Sequence, residues 1–385
     1  MFLRVFGLQP QRNGGDPFET SLALALLMLV GCLHPQDREP ESRIYVDEAP
    51  SSVERYCAWY GDARDAVLYF GTAAFWSAMR SHGHDPMADL LAEGPVAIGR
   101  FDLHREQMLE PLEVGVGGDR SGVWDVLAHP NGRIYFTTFY EPAGYAEVPG
   151  GQFVRLPNLG AGLNELAIGP DGGVLASRYG NALEREGSGA VVSFDADGAL
   201  LAEFPLRAPD GYRVAPKTIA FDPARREIWV TTDLLPIVPG HPLRHDAYVL
   251  SEQGEELLRI SEPEIQFVAF AEDGTGYRAE IEVRRLWLRI GAPGEGPEGG
   301  RRILLDTGFA AALDFVQDIE LASDGRVVVS RWSGWIHVVD PPSEVRSTRL
   351  PQFNDDGLYY SAVAEGDRIC ATYCSIVSVV CRDIP

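Results

Sequence analysis

The chain has 385 residues, is 45% hydrophobic, and carries 33 Lys and Arg against 56 Asp and Glu, a formal net charge of -23. That length and apolar content support a substantial core and exclude a disordered chain, while the acidic balance repels phosphate backbones and anionic headgroups and so excludes nucleic acid as a partner. Its 41 glycines and 27 prolines are scattered instead of gathered into tracts, as short strands joined by tight turns require.

Ser21 to Val30 reads SLALALLMLV, too short for a membrane-spanning helix of about 20 residues and suited to the apolar region of a signal peptide. The run ends in Leu29, Val30, Gly31 and Cys32, which resembles the lipobox of bacterial lipoproteins, where the cysteine becomes lipidated and N-terminal. The competing reading is a buried strand or helix with an ordinary cysteine. The downstream stretch LHPQDREPESR, polar and proline-containing, favours the first, because it suits a tether between a lipid and a folded body. Upstream, only Arg4 and Arg12 are cationic and Asp16 and Glu19 intervene, the pattern produced by a start codon placed too early. The expected organisation is a signal peptide over 1–31, a tether over 32–42 and one folded body over 43–385. Its place would be the cell envelope, lipid-anchored at the outer membrane or facing the periplasm, as a monomer touching the membrane only through its lipid.

With Cys32 lipidated, Cys57, Cys370, Cys374 and Cys381 remain, and an oxidising exterior permits two disulfides with three connectivities. Reduced, buried thiols are the alternative. A four-residue hairpin loop over Cys374 to Val377 would set Cys370 opposite Cys381 and leave Cys57 to reach Cys374.

From Arg43 onward the chain alternates hydrophobic strands and turns. A lone strand, RIYVDE, comes first, followed from Arg55 by RYCAWYGDARDAVLYFG, a divergent copy of a unit that then recurs. Further copies are VWDVLAHPNGRIYFTT from Val123, NELAIGPDGGVLASRYG from Asn164, KTIAFDPARREIWVTTD from Lys217, QFVAFAEDGTGYRAEI from Gln266, VQDIELASDGRVVVSRWSG from Val316 and LYYSAVAEGDRICATYC from Leu358. Asn131-Gly132, Asp171-Gly172, Asp273-Gly274 and Asp324-Gly325 sit between the paired strands, where Asn or Asp before Gly accepts the positive φ of hairpin turns. Second hairpins follow, clearest from Val191, Ala247 and Trp335. Four strands per unit at a period of about 40 to 50 residues is the pattern of an all-β propeller. Seven blades are expected, six being the alternative, with the N-terminal strand completing the last blade and leaving no bare sheet edge. A β-helix is the rival, but antiparallel hairpins at this variable period do not suit stacked short coils.

In such a disc the inner strands begin on one face, around the mouth of a central channel. Eight residues before each turn position stand Trp124, Asn164, Lys217, Gln266, Gln317 and Leu358, four of them polar and able to hydrogen-bond. Six residues after the turns stand Arg178 and Arg331, in the sister motifs SRYG and SRWSG. Together with Lys217 they form a candidate clamp for an anionic small ligand or glycan. The bland reading pairs both arginines with rim carboxylates such as Asp125, Glu165 and Asp318. The same face carries the longest insertions, Ala74 to Glu93 and Leu234 to His245, which contain His82, His84, Asp85, His241 and His245, with Asp246 next to the last. These are metal-ligand types, although loop histidines more often face solvent. No nucleophile elbow, paired-histidine zinc motif or phosphate loop occurs in the sequence. GAPGEGPEGG from Gly291 reads as a flexible loop on the opposite face.

In turn-and-strand phrasing, residues from about 120 to 340 resemble the gluconolactonase and regucalcin-like propellers, and more loosely the NHL-repeat propellers. That resemblance implies a divalent metal, calcium or zinc, held in the channel by Glu, Asn and Asp side chains and used to open a lactone. Asn164-Glu165 stands where the family has Asn-Asp, but Lys217 replaces an expected Asn and Gln317 an expected Asp. A lysine ammonium opposes a dication, and glutamine offers one neutral oxygen where a carboxylate is needed. The leading expectation is therefore a cofactor-free binding module for a glycan, peptide, protein or anionic small ligand. The alternative is a metal-dependent lactonase or related hydrolase that places Asp125, Asn164, Glu165 and Asp318 around a displaced metal.

Overall fold

The computed structural model describes residues 42–46, 55–75, 97–114, 123–138, 144–156, 163–178, 189–296, 298–307, 314–322, 324–340, 344–351, 358–375 and 378–384. The apolar run, Cys32, the tether up to Glu41, and His82, His84 and Asp85 lie outside the described residues.

The described body opens with β1 (Arg43–Val46). Blade one is β2 (Arg55–Arg64), β3 (Val67–Phe75), β4 (Ala97–Asp102) and β5 (Gln107–Glu113), and blade two is β6 (Val123–Ala128), β7 (Ile134–Thr138), β8 (Gly144–Val148) and β9 (Gln152–Arg155). Blade three is β10 (Leu163–Ile168), β11 (Val174–Arg178), β12 (Ala190–Phe194) and β13 (Leu200–Pro205). Blade four is β14 (Tyr212–Asp222), β15 (Glu227–Pro236), β16 (Arg244–Ser251) and β17 (Glu256–Ile260). Blade five is β18 (Glu264–Phe270), β19 (Gly276–Glu282), β20 (Arg285–Gly291) and β21 (Arg301–Thr307), and blade six is β22 (Val316–Leu321), β23 (Val327–Arg331), β24 (Trp335–Asp340) and β25 (Glu344–Arg349). Blade seven is β26 (Leu358–Glu365), β27 (Arg368–Ser375) and β28 (Ser378–Asp383), with β1 as its outermost strand, running antiparallel to β28 from Arg43 opposite Cys381 to Val46 opposite Ser378. The seven-bladed, all-β disc closed by the N-terminal strand is thus the observed architecture.

Each turn is set by local chemistry. In blade five, Gly274 takes φ +86°, its N–H donates to the Ala271 carbonyl at 2.9 Å, and the Asp273 carboxylate accepts the Thr275 N–H at 2.8 Å. A positive φ there costs glycine nothing. In blade four the expected loop from Leu234 to His245 is shorter than anticipated, because β15 and β16 extend into it and Leu234 pairs with Arg244.

The apolar residues are buried between blades instead of inside any one of them. Leu68, Phe70 and Phe101 of blade one pack with Val363, Cys370 and Val379 of blade seven, and Ala279 and Leu288 of blade five pack with Ile319 and Val329 of blade six. Sheets covered on both faces need continuous apolar second strands, and β7 and β23 are buried along their whole length. Closure is also covalent within blade seven, where Cys370 and Cys381 form the expected disulfide. Cys374 is disulfide-bonded as well, and the strand register between blades one and seven sets Cys57 opposite it.

In all seven innermost strands the register with the second strand is broken by a bulge: after Ala58, Val123, Leu163, Pro216, Ile265, Val316 and Tyr359. A bulge leaves a backbone N–H without its ladder partner, and a buried orphan amide costs about 1–3 kcal/mol. In blades three, four and seven a hydroxyl on the second strand receives such an amide. The Glu165 N–H donates to Ser177 Oγ at 3.0 Å, the Thr218 N–H to Thr231 Oγ1 at 3.2 Å, and the Ser361 N–H to Thr372 Oγ1 at 3.1 Å. Replacing the fully buried Thr372 with valine keeps the shape and removes the acceptor. Thr372→Val is therefore expected to lower the unfolding free energy by about 1–3 kcal/mol, and Thr372→Ser to restore most of it, as read from denaturant titrations.

Candidate functional site: the channel mouth

Because every bulge falls in an innermost strand, the extra residues gather around the axis. Blades one to four contribute Tyr60, Trp124 with Asp125, Asn164 with Glu165, and Lys217 with Thr218; blades five to seven contribute Gln266, Gln317 and Tyr360 with Ser361. Their convergence is direct. Tyr60 reaches past blade seven to donate its phenol hydrogen to Gln317 Oε1 at 2.7 Å. Its ring meets those of Trp124 and Tyr360 edge to face, at centroid distances of 5.2 and 5.1 Å. The sequence expectation of Leu358 in blade seven is corrected to Tyr360. The Glu365–Arg368 turn is two residues long there, so the position six residues before Gly366 takes the place, and Leu358 packs beside it.

Several of these residues bind one blade to the next. Asp62 accepts the Ala128 N–H of blade two at 2.9 Å, Asp125 the Leu166 N–H of blade three at 2.7 Å, and Gln266 Oε1 the Val316 N–H of blade six at 2.9 Å. Ser361 Oγ accepts the Gly61 N–H of blade one at 3.1 Å. Hydroxyls add to the lacing: Thr137 donates to the Asn164 carbonyl at 2.6 Å and Ser330 to the Tyr360 carbonyl at 2.8 Å. Asp125 spends its second oxygen on the Val126 N–H at 2.9 Å, so both of its oxygens are occupied by backbone. Asp318 is hydrogen-bonded to the Ser361 side chain.

The channel is strongly acidic for its few cations. Burial raises the Asp125 carboxyl to about 7 against the pull of its two amide donors, and raises Asp62 to about 6. Burial, with Asp125 and Asp62 nearby, raises Asp318 to about 8. Glu165 and Glu320 are likewise pushed well above the ordinary carboxylate range, first by burial and then by neighbouring carboxylates, with Lys217 easing Glu165. Lys217 itself stands 3.8 Å from Asp233 and 5.5 Å from the Phe315 ring centroid. Although burial raises it, Asp233 is held below the usual carboxylate range by Lys217 and by His245, whose Nδ1 lies 2.8 Å away.

Arg178 and Arg331 have carboxylate partners other than those anticipated. Arg178 pairs with Glu203, and the fully buried Arg331 pairs with Asp306 and, at 3.1 Å, with Asp314. The Arg178 pair stays within blade three, whereas Arg331 ties blade six to the last strand of blade five. His241 packs against the Tyr212 ring at 5.4 Å, and Asp246 pairs with Arg244 at 3.1 Å. Among the described residues no group of three or more His, Cys, Asp and Glu side chains is placed to hold a metal ion. Tyr60, Asp62, Asp233, Glu320 and Tyr360 enter the site without having been singled out in the sequence. An alignment of bulge positions, in place of turn positions, would have found Tyr60 and Tyr360.

The chain matches no described protein family, and no curated protein is similar to it in sequence. In fold it is similar to virginiamycin B lyase from Staphylococcus aureus, with a TM-score of 0.57 at 10% identity over 90% of this chain and 100% of that one. A catalytically inactive variant of that lyase has been solved with quinupristin. The fold is also similar to the Dos1 propeller, with a TM-score of 0.51 at 10% identity over 90% and 94% of the two chains. YCF48 from Cyanidioschyzon merolae gives a TM-score of 0.51 at 12% identity over 89% and 98%, and a YCF48 has been solved bound to a D1 peptide. At these identities the likeness establishes the fold alone: the chain is a seven-bladed β-propeller.

The raised carboxyl of Asp318 has a pH consequence. In the folded state it holds its proton to about pH 8, while in the unfolded chain it ionises near pH 4. Folding is therefore increasingly penalised as pH rises from about 4 to 8, and the penalty is constant above that. Asp318→Asn removes it. The stability advantage of Asp318→Asn over the wild type is expected to be small at pH 4.5, to grow with pH, and to level off above about pH 8 when measured by denaturant titration. An advantage that shrinks with pH would contradict the assignment.

Proposed function

We propose that the chain is a binding propeller displayed at the cell envelope by a lipid on Cys32, and that its ligand, a peptide, glycan or small molecule, seats in the channel mouth. The observation that carries this reading is the meeting of Tyr60, Trp124, Tyr360, Gln317, Glu165 and Lys217, drawn from six blades, at one opening. Rings with a few convergent polar groups are what a small-ligand or peptide site requires. Polar positions that hold a recurring bulge open where simple apolar packing would do are explained by recognition.

An anionic ligand is the least favoured member of the class, because Arg178 and Arg331 are neutralised by Glu203, Asp306 and Asp314. The hydrolase reading asks Asp125, Asn164, Glu165 and Asp318 to hold calcium or zinc. Asp125 would have to release two backbone amides to do so, which leaves Glu165 as the strongest potential ligand and makes the binding reading the better one. Elemental analysis of the purified protein distinguishes the two, since a stoichiometric metal whose chelation abolishes lactone turnover would replace binding with catalysis.

Two outcomes test the proposal. Cells fed an alkyne-labelled fatty acid are expected to label the wild type and not Cys32→Ser, and equal labelling would remove the lipid anchor. Peptide and glycan arrays probed with the wild type and with Trp124→Leu are expected to show hits that weaken about tenfold in the variant, in line with the loss of one aromatic contact. Hits indifferent to this substitution would place the ligand elsewhere on the disc.

A further inference from the structure

Resting on the reading that the mouth binds a ligand, we infer that it takes an organic cation, an ammonium-bearing molecule or side chain, held by the Tyr60, Trp124 and Tyr360 rings together with the Glu165 carboxylate.

Four observations converge on this chemistry. The three rings come from blades one, two and seven and touch one another, and an ammonium is drawn to such rings by their quadrupoles. Glu165 is an electrostatic neighbour of Tyr60, and among the described residues no side chain donates a hydrogen bond to its carboxylate. Asp125 and Asp62 are committed to backbone amides and Asp318 to Ser361; of the two buried carboxyls without such bonds, Glu165 and Glu320, Glu165 is the one beside Tyr60. The mouth also already houses one ammonium in the same manner, since Lys217 Nζ lies over Phe315 and beside Asp233.

Charge points the same way. The chain's net charge of -23 concentrates cations near its surface and steers them toward an acidic opening. Lys217, placed between Glu165 and Asp233, offsets part of the local field and leaves room for one further positive charge.

The purified full chain would be titrated calorimetrically and by tryptophan fluorescence with tetramethylammonium and n-butylammonium chlorides. The neutral isosteres tert-butanol and 1-butanol, with calcium chloride, would serve as controls. Both ammonium probes are expected to bind at least about tenfold more tightly than their isosteres. Glu165→Gln and Trp124→Leu are each expected to weaken them about tenfold, and Tyr60→Phe, which keeps the ring, much less. Binding should tighten from pH 6 to 8.5 as Asp125 and Asp318, raised to about 7 and 8, gain charge, and as Glu165, raised well above the ordinary carboxylate range by burial and by these two, ionises with the incoming cation as its partner. Both probes keep their charge over that range. Glu165→Gln, isosteric and relieving repulsion, should melt no lower than the wild type, which separates lost binding from lost folding.

Isosteres that bind as well as the cations, an unchanged Glu165→Gln, or calcium competing equally in wild type and Trp124→Leu would each overturn the inference. If array hits at the mouth are then neutral glycans or peptides, the binding reading survives without the cation; with no mouth-dependent hits of any kind, both fall.

Discussion

An innermost strand that must lie flat against its neighbour and yet carry one residue too many has to dispose of an unpaired amide. In blades three, four and seven the disposal is a hydroxyl on the second strand, at Ser177, Thr231 and Thr372, and much else is a consequence. The surplus residues take up positions around the axis, their neighbours Asp125, Gln266 and Ser361 reach sideways to the next blade's amides, and seven sheets that share apolar cores only at their mutual faces become one ring. Apolar burial between blades supplies the bulk of the stabilisation, but it is non-directional. The hydrogen-bonded bulges fix which residues look inward.

The same arrangement concentrates charge. Carboxyls that serve as laces between blades are forced close to others that do not, and in a confined channel each raises the proton affinity of the next. Asp125 tolerates this because backbone amides hold it; Glu165 and Glu320 have no such compensation among the described residues. Uncompensated buried acid is a cost to folding that packing alone gives no reason to keep. Perturbed groups of this kind concentrate where proteins handle ligands, and here they coincide with the aromatic cluster of Tyr60, Trp124 and Tyr360. The arginines that would suit an anion, Arg178 and Arg331, are withdrawn into ion pairs with the blade rims.

Much of the fold was legible because its signals are local and periodic. Asp273-Gly274 marks a turn whatever surrounds it, alternating strands announce the hairpins, and the surplus strand at Arg43 had one sensible destination, the incomplete last blade. The pairing of Cys370 with Cys381 followed from the length of a single hairpin. The site was legible only where the blades keep equal turns. Counting from the turn found Trp124, Asn164, Lys217, Gln266 and Gln317, and failed in blade seven, whose turn is only two residues long, so that Tyr360 stands where Leu358 was expected. Side-chain partners across blades were beyond reach. The sequence distance between Arg331 and Asp306, or between Tyr60 and Gln317, carries no local signature, since such contacts exist only once the ring is closed. The hydroxyls of Ser177 and Ser330 stand beside the arginines in the SR pairs, but a single hydroxyl partner in another strand leaves no mark in the sequence as plain as a charge.

Amide hydrogen exchange at the bulges tests this account most directly. The N–H groups of Glu165, Thr218 and Ser361 lie outside the regular strand ladders, so by ladder logic alone they would exchange quickly. If the second-strand hydroxyls hold them, they should exchange as slowly as the buried ladder amides of the second strands, with opening free energies near that of global unfolding. Exchange of these three amides at rates typical of exposed loops, while the second strands stay protected, would contradict it.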